Sequence, residues 1–263
     1  MSFENIENTI EENKENLNPY FLRDQFLLPN KEDWNADFIE LIKEKSEKNQ
    51  EYIRIAQEES ENGRKGETRK EDRESINESF IQELYNLGLK EDDLKDKRVL
   101  DLGCGDGALV QEIMNRNITK EAFGIDLNID SNSIKEELKD HFFQEDFQKE
   151  FPVKDVDYVF SNGAVSLGIS FRGESMDMDK IIENSINALK EDGEIRIGPV
   201  FEAREDSDLE GLKEEKKIWD KFLSRISQKY NLQYTLEPID IFVSGRDNDL
   251  ALQSILIIKK KNY

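Results

Sequence analysis

Apolar and polar positions divide the chain into two regions that meet near residue 93. In the first region apolar residues recur only at helical spacing. Residues 37–59 predict a long helix with apolar residues at both ends and a polar middle. Residues 75–89 predict a second helix, which begins at a capping box formed by Ser75 and Glu78 and ends at Gly88. The first region is therefore predicted to be a helical extension.

In the second region strand and helix patterns alternate. The last two strand patterns are separated by only six residues, which is too short for a crossover helix, so these strands should pair antiparallel. We predict an α/β fold: a doubly wound, mostly parallel seven-stranded sheet with a reversed terminal strand, preceded by the extension. The predicted domains are residues 1–93 and 94–263. The predicted strands are 98–103, 122–127, a weak one from 141, 156–161, 194–201, 234–243 and 250–260, and the predicted helices are 108–116, 131–139, 178–189 and 209–227.

Charge narrows the possible partners. Charged residues make up 37% of the chain and hydrophobic ones 36%, and the formal net charge is -22. Such a surface repels a phosphate backbone, so we do not expect a nucleic-acid partner. The N-terminal segment is polar, and no window contains the roughly 20 apolar residues of a membrane span, so we expect a cytoplasmic protein. The single cysteine, Cys104, excludes an intrachain disulfide and a cysteine-based metal site.

Three glycines, Gly103, Gly105 and Gly107, lie where the first strand passes into a helix. Helix N-termini present unpaired N–H groups, and glycines let a ligand approach the backbone, so this turn predicts a nucleotide-type ligand. Read together with Ala108, the spacing also fits a dinucleotide fingerprint, and Asp126 stands where a ribose-binding acid is expected. The glycines alone leave two enzyme classes open.

Three other features favour a cationic cofactor over a pyrophosphate. Asp101 stands two residues before the glycines, where a carboxylate would repel a pyrophosphate and attract a cation. The reversed hairpin is foreign to the dinucleotide-binding half-domain. Asp146 follows the third strand, where an acceptor could bind an exocyclic amine.

Together these residues resemble a known family. The pattern D-x-G-x-G-x-G from Asp101, Asp126 in "GIDL", Asp146 in "QEDF" and the fourth strand "DYVFSN" are similar to class I S-adenosylmethionine-dependent methyltransferases. The resemblance covers about residues 97–260. The turn Asp192-Gly193 departs mildly from the proline-glycine or glycine-glycine turn that is usual before the fifth strand.

The resemblance implies roles for individual residues and S-adenosylmethionine as the cofactor. The glycine turn would hold the methionine part, with Asp101 near its ammonium group. Asp126 would accept from the ribose hydroxyls and Asp146 from the adenine amine. Cys104 is interpreted as small filler rather than a nucleophile, and Asp106 as a helix-start charge. The complete predicted cofactor set is Asp101, Gly103, Cys104, Gly105, Gly107, Asp126, Leu127, Asp146, Phe147, Ser161 and Asn162.

Methyl transfer by direct displacement requires alignment of a nucleophile behind the sulfonium rather than a dedicated base. The only histidine, His141, falls at the start of the third strand, away from the predicted site. Asn162 and Arg172 are the substrate-side candidates, with Phe171 as a possible cover. Residues 18–30 are apolar enough to form a lid or to pack in the core.

We expect a small-molecule acceptor that is methylated on oxygen or nitrogen. Three alternatives stay open at this stage. The first is a protein methyltransferase that acts on a basic partner. The others are a cofactor-binding protein without transfer activity and a nicotinamide enzyme.

Overall fold

The computed structural model describes residues 35–47, 73–129, 131–166, 176–203, 210–243 and 250–261. The helices are α1 (36–47), α2 (Arg73–Asn86), α3 (Ala108–Asn115), α4 (Met178–Ala188) and α5 (Glu210–Tyr230). Two 3-10 helices span Glu91–Leu94 and Glu136–His141. The strands are β1 (Arg98–Leu102), β2 (Glu121–Asp126), β3 (Phe142–Gln144), β4 (Val156–Asn162), β5 (Leu189–Ala203), β6 (Leu232–Val243) and β7 (Leu250–Lys260).

The seven strands form one sheet in the order β3-β2-β1-β4-β5-β7-β6. Strands β1 to β5 pair in parallel, whereas β7 pairs antiparallel with both β5 and β6. The short connection between β6 and β7 leaves a hairpin as the only pairing, as the sequence predicted. The predicted α/β fold with a reversed terminal strand is confirmed.

Helices cover both faces of the sheet because successive strand residues point to opposite faces. Leu100 and Leu102 of β1 pack in the cluster that contains apolar residues of α4 and α5. Val99 packs in a second cluster, with apolar residues of α2 and α3. The carboxyl ends of β1, β2 and β4 therefore share one edge between the two layers, where ligands of such sheets bind.

The helix predicted over residues 131–139 is wrong, because only a short 3-10 helix begins there, at Glu136. The side chain of Gln111 forms hydrogen bonds with a backbone carbonyl and a backbone N–H of this segment, both of which would pair with other backbone groups in a helix. Its Nε2 donates to the Ser133 carbonyl at 3.1 Å, and its Oε1 accepts from the Lys135 N–H at 2.9 Å. These bonds hold the segment as turns.

Helix α2 differs from its prediction at one end and agrees at the other. It begins at Arg73, so Ser75 lies inside the helix and the predicted capping box is wrong. Gly88 follows the helix with φ of 64°. The Gly88 N–H donates to the Tyr85 carbonyl and the Leu89 N–H to the Leu84 carbonyl, both at 2.9 Å. This pattern is a Schellman motif, and it confirms Gly88 as the C-terminal cap.

Helix α1 packs on the hairpin. Phe38 and Ile42 are buried against Ile241 and other residues of β6 and β7. Lys45 adds an ion pair to Asp240, with Nζ to Oδ1 at 2.6 Å. Residues 48–59 of the predicted first helix and the apolar segment 18–30 lie outside the described residues. The boundary between the two predicted domains stays a prediction.

Candidate functional site

The glycine turn at the carboxyl end of β1 depends on backbone conformations that favour glycine. Gly103 has φ of 80° and Gly105 has φ of 56°. A Cβ at Gly103 would lie 2.1 Å from the Ala164 Cβ, so this glycine lets the turn approach the segment after β4. A Cβ at Gly105 would meet nothing within 4 Å, which leaves its face of the turn open.

The turn forms one wall of a cleft at this edge of the sheet. Five residues of the predicted cofactor set line it, and the others are Asp106 of the turn, Glu83 of α2 and two residues at the start of α3. The lining residues are Glu83, Asp101, Gly103, Cys104, Gly105, Asp106, Ala108, Leu109 and Asn162. Strand β1 therefore meets β4 at the predicted position, with three carboxylates around the space between them.

Asp101 is the most unusual carboxylate of the cleft. It is only 6% exposed, and within the described ranges no donor hydrogen-bonds to its side chain. Burial raises the pKa of Asp101 to about 8, and the charges of Glu83 and Asp126 add to the rise. A buried carboxyl group without a donor is costly unless a ligand supplies the partner.

Glu83 was not predicted from the sequence. Burial raises its pKa to about 7, and the charge of Asp106 contributes. The available signal was its place on α2, three residues after Phe80 and four before Leu87, both of which are buried. This spacing places the glutamate on the apolar face of the helix, where a charged side chain is unusual.

Asp126 lies beside the cleft at the carboxyl end of β2. Its Oδ2 accepts from the Gly105 N–H at 3.0 Å, and its Oδ1 accepts from the Asn128 N–H at 2.8 Å. The carboxylate is thereby fixed next to the glycine turn. The neighbouring Leu127 is 49% exposed, as suits an apolar group that covers a ligand.

Asp146 and Phe147 follow β3. The Asp146 Oδ1 accepts from the Gln148 N–H at 2.9 Å, which forms a tight turn. Phe147 packs partly buried against the core, and its Cε1 lies 3.9 Å from the Cβ position of Gly103. Phe147 is therefore close to the cleft, while Asp146 is not among the described residues that line it.

Ser161, Gly107 and His141 have roles in the fold. Ser161 is fully buried and its Oγ accepts from the Val165 N–H at 3.0 Å, so it holds the turn after β4 and does not line the cleft. Gly107 precedes α3 with φ of 77°. His141 stacks on Phe123 at 5.3 Å and its Nδ1 is hydrogen-bonded to the Ala122 carbonyl at 2.9 Å, in line with a structural role.

Cys104 is buried, and its Sγ lies 2.6 Å from the Cβ position of Gly124, where only glycine fits. Burial and the charges of Asp101 and Asp126 raise the pKa of its thiol far above the usual range. The thiol is thus unsuited to act as a nucleophile. The side chain of Asp106 accepts from the Ala108 N–H at 3.1 Å at the start of α3.

The substrate-side candidate Arg172 and its neighbour Phe171 lie outside the described residues. Asn162, the other candidate, lines the cleft from the end of β4. The described part of the chain contains no group of three or more His, Cys, Asp or Glu side chains that could hold a metal ion. None of its helices is long and apolar enough to cross a membrane.

The residues of the cleft fit the charge of S-adenosylmethionine, which carries an ammonium and a sulfonium. Asp101 is buried and none of the described residues donates to its side chain, and Glu83 adds a second carboxylate. The open face at Gly105 leaves room for a ligand against the backbone. A cation in this place would favour the ionised form of both carboxyl groups, whereas a pyrophosphate would be repelled by that form.

The strand order and the reversed β7 define a class I methyltransferase fold. Residues 93–238 match the family described as a methyltransferase domain, which is more than half of the chain. The chain belongs to this family, whose class I members depend on S-adenosylmethionine, and the predicted class is confirmed. Glu83 lies ahead of the matched residues. A search of curated proteins found no match.

Several solved structures are similar to the chain. Phosphoethanolamine N-methyltransferase 2 of Haemonchus contortus in complex with S-adenosyl-L-methionine is 16% identical over 70% of this chain and 53% of that one, with a TM-score of 0.45. The plantazolicin methyltransferase in complex with its product cofactor is 16% identical over 84% of this chain and 100% of that one, with a TM-score of 0.44. An O-methyltransferase from neocarzinostatin biosynthesis is 10% identical over 71% and 57%, with a TM-score of 0.42.

This chain spans about half the length of the Haemonchus contortus enzyme. All three TM-scores are below 0.5, so these likenesses say nothing about the acceptor of this chain.

Proposed function

We propose that this chain transfers a methyl group from S-adenosylmethionine to a small-molecule acceptor. The observation that carries the proposal is the acidic cleft at the carboxyl ends of β1 and β4. Its carboxylates suit a cationic methyl donor, and Glu83 of α2 lines the cleft together with the glycine turn.

The roles proposed for the individual residues are those that the resemblance to the family implies. The glycine turn and Asp101 bind the methionine part, and Asp126 binds the ribose hydroxyls. Asp146 accepts a hydrogen bond from the adenine amine, Phe147 covers the adenine, and Asn162 faces the acceptor. The bound cofactor supplies an electrophilic methyl group, and the chain contributes orientation and exclusion of water, with no base assigned to it.

A second candidate function is methylation of a basic protein partner. The net charge of -22 favours it, since an acidic surface attracts a basic protein and raises its rate of association. This candidate differs from the first in the acceptor and shares the cofactor site.

A transfer assay separates the two candidates. Cofactor with a radiolabelled methyl group is incubated with the protein and either a cell extract freed of macromolecules or a set of basic proteins. We expect label in the small-molecule extract and its loss with Asp126→Ala, which should weaken cofactor binding by about 1–3 kcal/mol. Label in the basic proteins alone would instead establish the second candidate.

A further inference from the structure

We propose that Glu83 is a cofactor-binding residue, whose carboxylate, together with that of Asp101, holds the ammonium group of S-adenosylmethionine. The inference rests on the proposed function, because it takes the cleft to be the cofactor site. Glu83 lies on α2, before the residues that match the methyltransferase family. The extension would thus complete a site that the family domain begins.

The carboxylates of Glu83 and Asp101 belong to the lining of a single cleft. The open face of Gly105 lies beside them. Asp101 is 6% exposed, and the described residues offer neither carboxylate a hydrogen bond or an ion pair. Two unpaired carboxylates that line one cleft repel each other when both are charged, and a cation bound beside them removes this repulsion.

The position of α2 is fixed by contacts that do not involve Glu83. The buried Arg196 of β5 donates through Nη1 to the Leu87 carbonyl at 2.8 Å and to the Gly88 carbonyl at 3.1 Å. The Tyr85 hydroxyl donates to the Ile239 carbonyl of β6. These contacts hold α2 on the sheet with Glu83 at the cleft.

The two charged groups of the cofactor's methionine differ in their fit. The ammonium donates three hydrogen bonds and is attracted to both carboxylates, whereas the methionine carboxylate would be repelled by them. The pair thus assigns this end of the cleft to the ammonium. A ligand without an amino-acid part should bind with the same affinity when Glu83 is replaced.

The test uses Glu83→Gln, which keeps the shape of the side chain and removes its charge. Binding of S-adenosylhomocysteine and of 5′-methylthioadenosine, which lacks the amino-acid part, is measured at pH 8 on the full chain. We expect the variant to bind S-adenosylhomocysteine about tenfold more weakly and 5′-methylthioadenosine as the wild type does. Glu237→Gln, an exposed position on β6, is the matched control and should change neither affinity.

The outcomes separate this inference from the proposed function. Wild-type protein that binds neither ligand would overturn the proposed function and this inference with it. Wild-type protein that binds S-adenosylhomocysteine with a variant of equal affinity would overturn the role of Glu83 alone. Equal weakening of both ligands would also overturn it, because Glu83 would then act through the fold of α2 and not through the ammonium.

Discussion

Replacing Asp101 by Asn should stabilise the cofactor-free protein and weaken cofactor binding at the same time. Asn keeps the shape of the side chain and carries no charge at any pH. In the folded protein the pKa of Asp101 is raised to about 8 from its ordinary value of 3.8, so the group stays protonated up to about pH 8. Unfolding therefore releases a proton over this range, so the contribution of Asp101 to stability falls as pH rises from about 4 to 8.

The size of the effect follows from the pKa. Each pH unit between the two pKa values corresponds to about 1.4 kcal/mol, which gives an upper limit of about 4 kcal/mol between pH 5 and pH 8. Water that enters the cleft and relaxation of the chain reduce this limit, so we expect the stability advantage of Asp101→Asn to grow by about 2–3 kcal/mol over that range.

Urea unfolding of the wild type and the variant at pH 5, 6, 7 and 8 measures this difference. The wild type should lose more stability than Asp101→Asn as the pH rises, and Glu237→Gln should follow the wild type. The variant should also bind S-adenosylhomocysteine more weakly at pH 8. Parallel pH profiles of wild type and Asp101→Asn would refute the argument, because the carboxyl group would then be no more costly to ionise in the folded chain.

Further predictions concern the turn, the anchor of α2 and the thiol. Gly103→Ala should prevent the turn from closing on the segment after β4, since its Cβ would lie 2.1 Å from the Ala164 Cβ. Thermal unfolding should show a loss of about 2 kcal/mol or more, with cofactor binding abolished.

Arg196→Met should cost about 2–4 kcal/mol in urea unfolding, because it leaves the buried Glu194 with Lys259 as its one partner among the described residues and removes donors from the end of α2. A loss below 1 kcal/mol would contradict this account of the anchor. Cys104 should resist iodoacetamide in the folded protein at pH 8 and react after unfolding, and rapid alkylation of the native protein would contradict its burial.

The sheet could be predicted because the sequence patterns that indicate its strands are local and recur along the chain. Each strand is a short apolar run between helical patterns, and the gap between β6 and β7 is too short for any connection except a hairpin. The cleft was predictable in part for the same reason, since Asp101, Gly105 and Asn162 all lie at strand ends that must share one edge.

The missed features depend on contacts between distant residues. The 131–139 segment carries a helical pattern, yet the side chain of Gln111 binds its backbone and prevents the helix. Glu83 enters the cleft only because Arg196 and Tyr85 fix α2 on the sheet. Partners more than 100 positions away cannot be inferred from the periodicity of one helix.

We propose that this cleft binds a cationic methyl donor and not a dinucleotide. Calorimetric titration of the full chain with S-adenosylhomocysteine and, separately, with NAD tests it most directly. We expect saturable binding of S-adenosylhomocysteine at one site, weaker binding in Asp126→Ala, and no binding of NAD. Tight binding of NAD without binding of S-adenosylhomocysteine would contradict it.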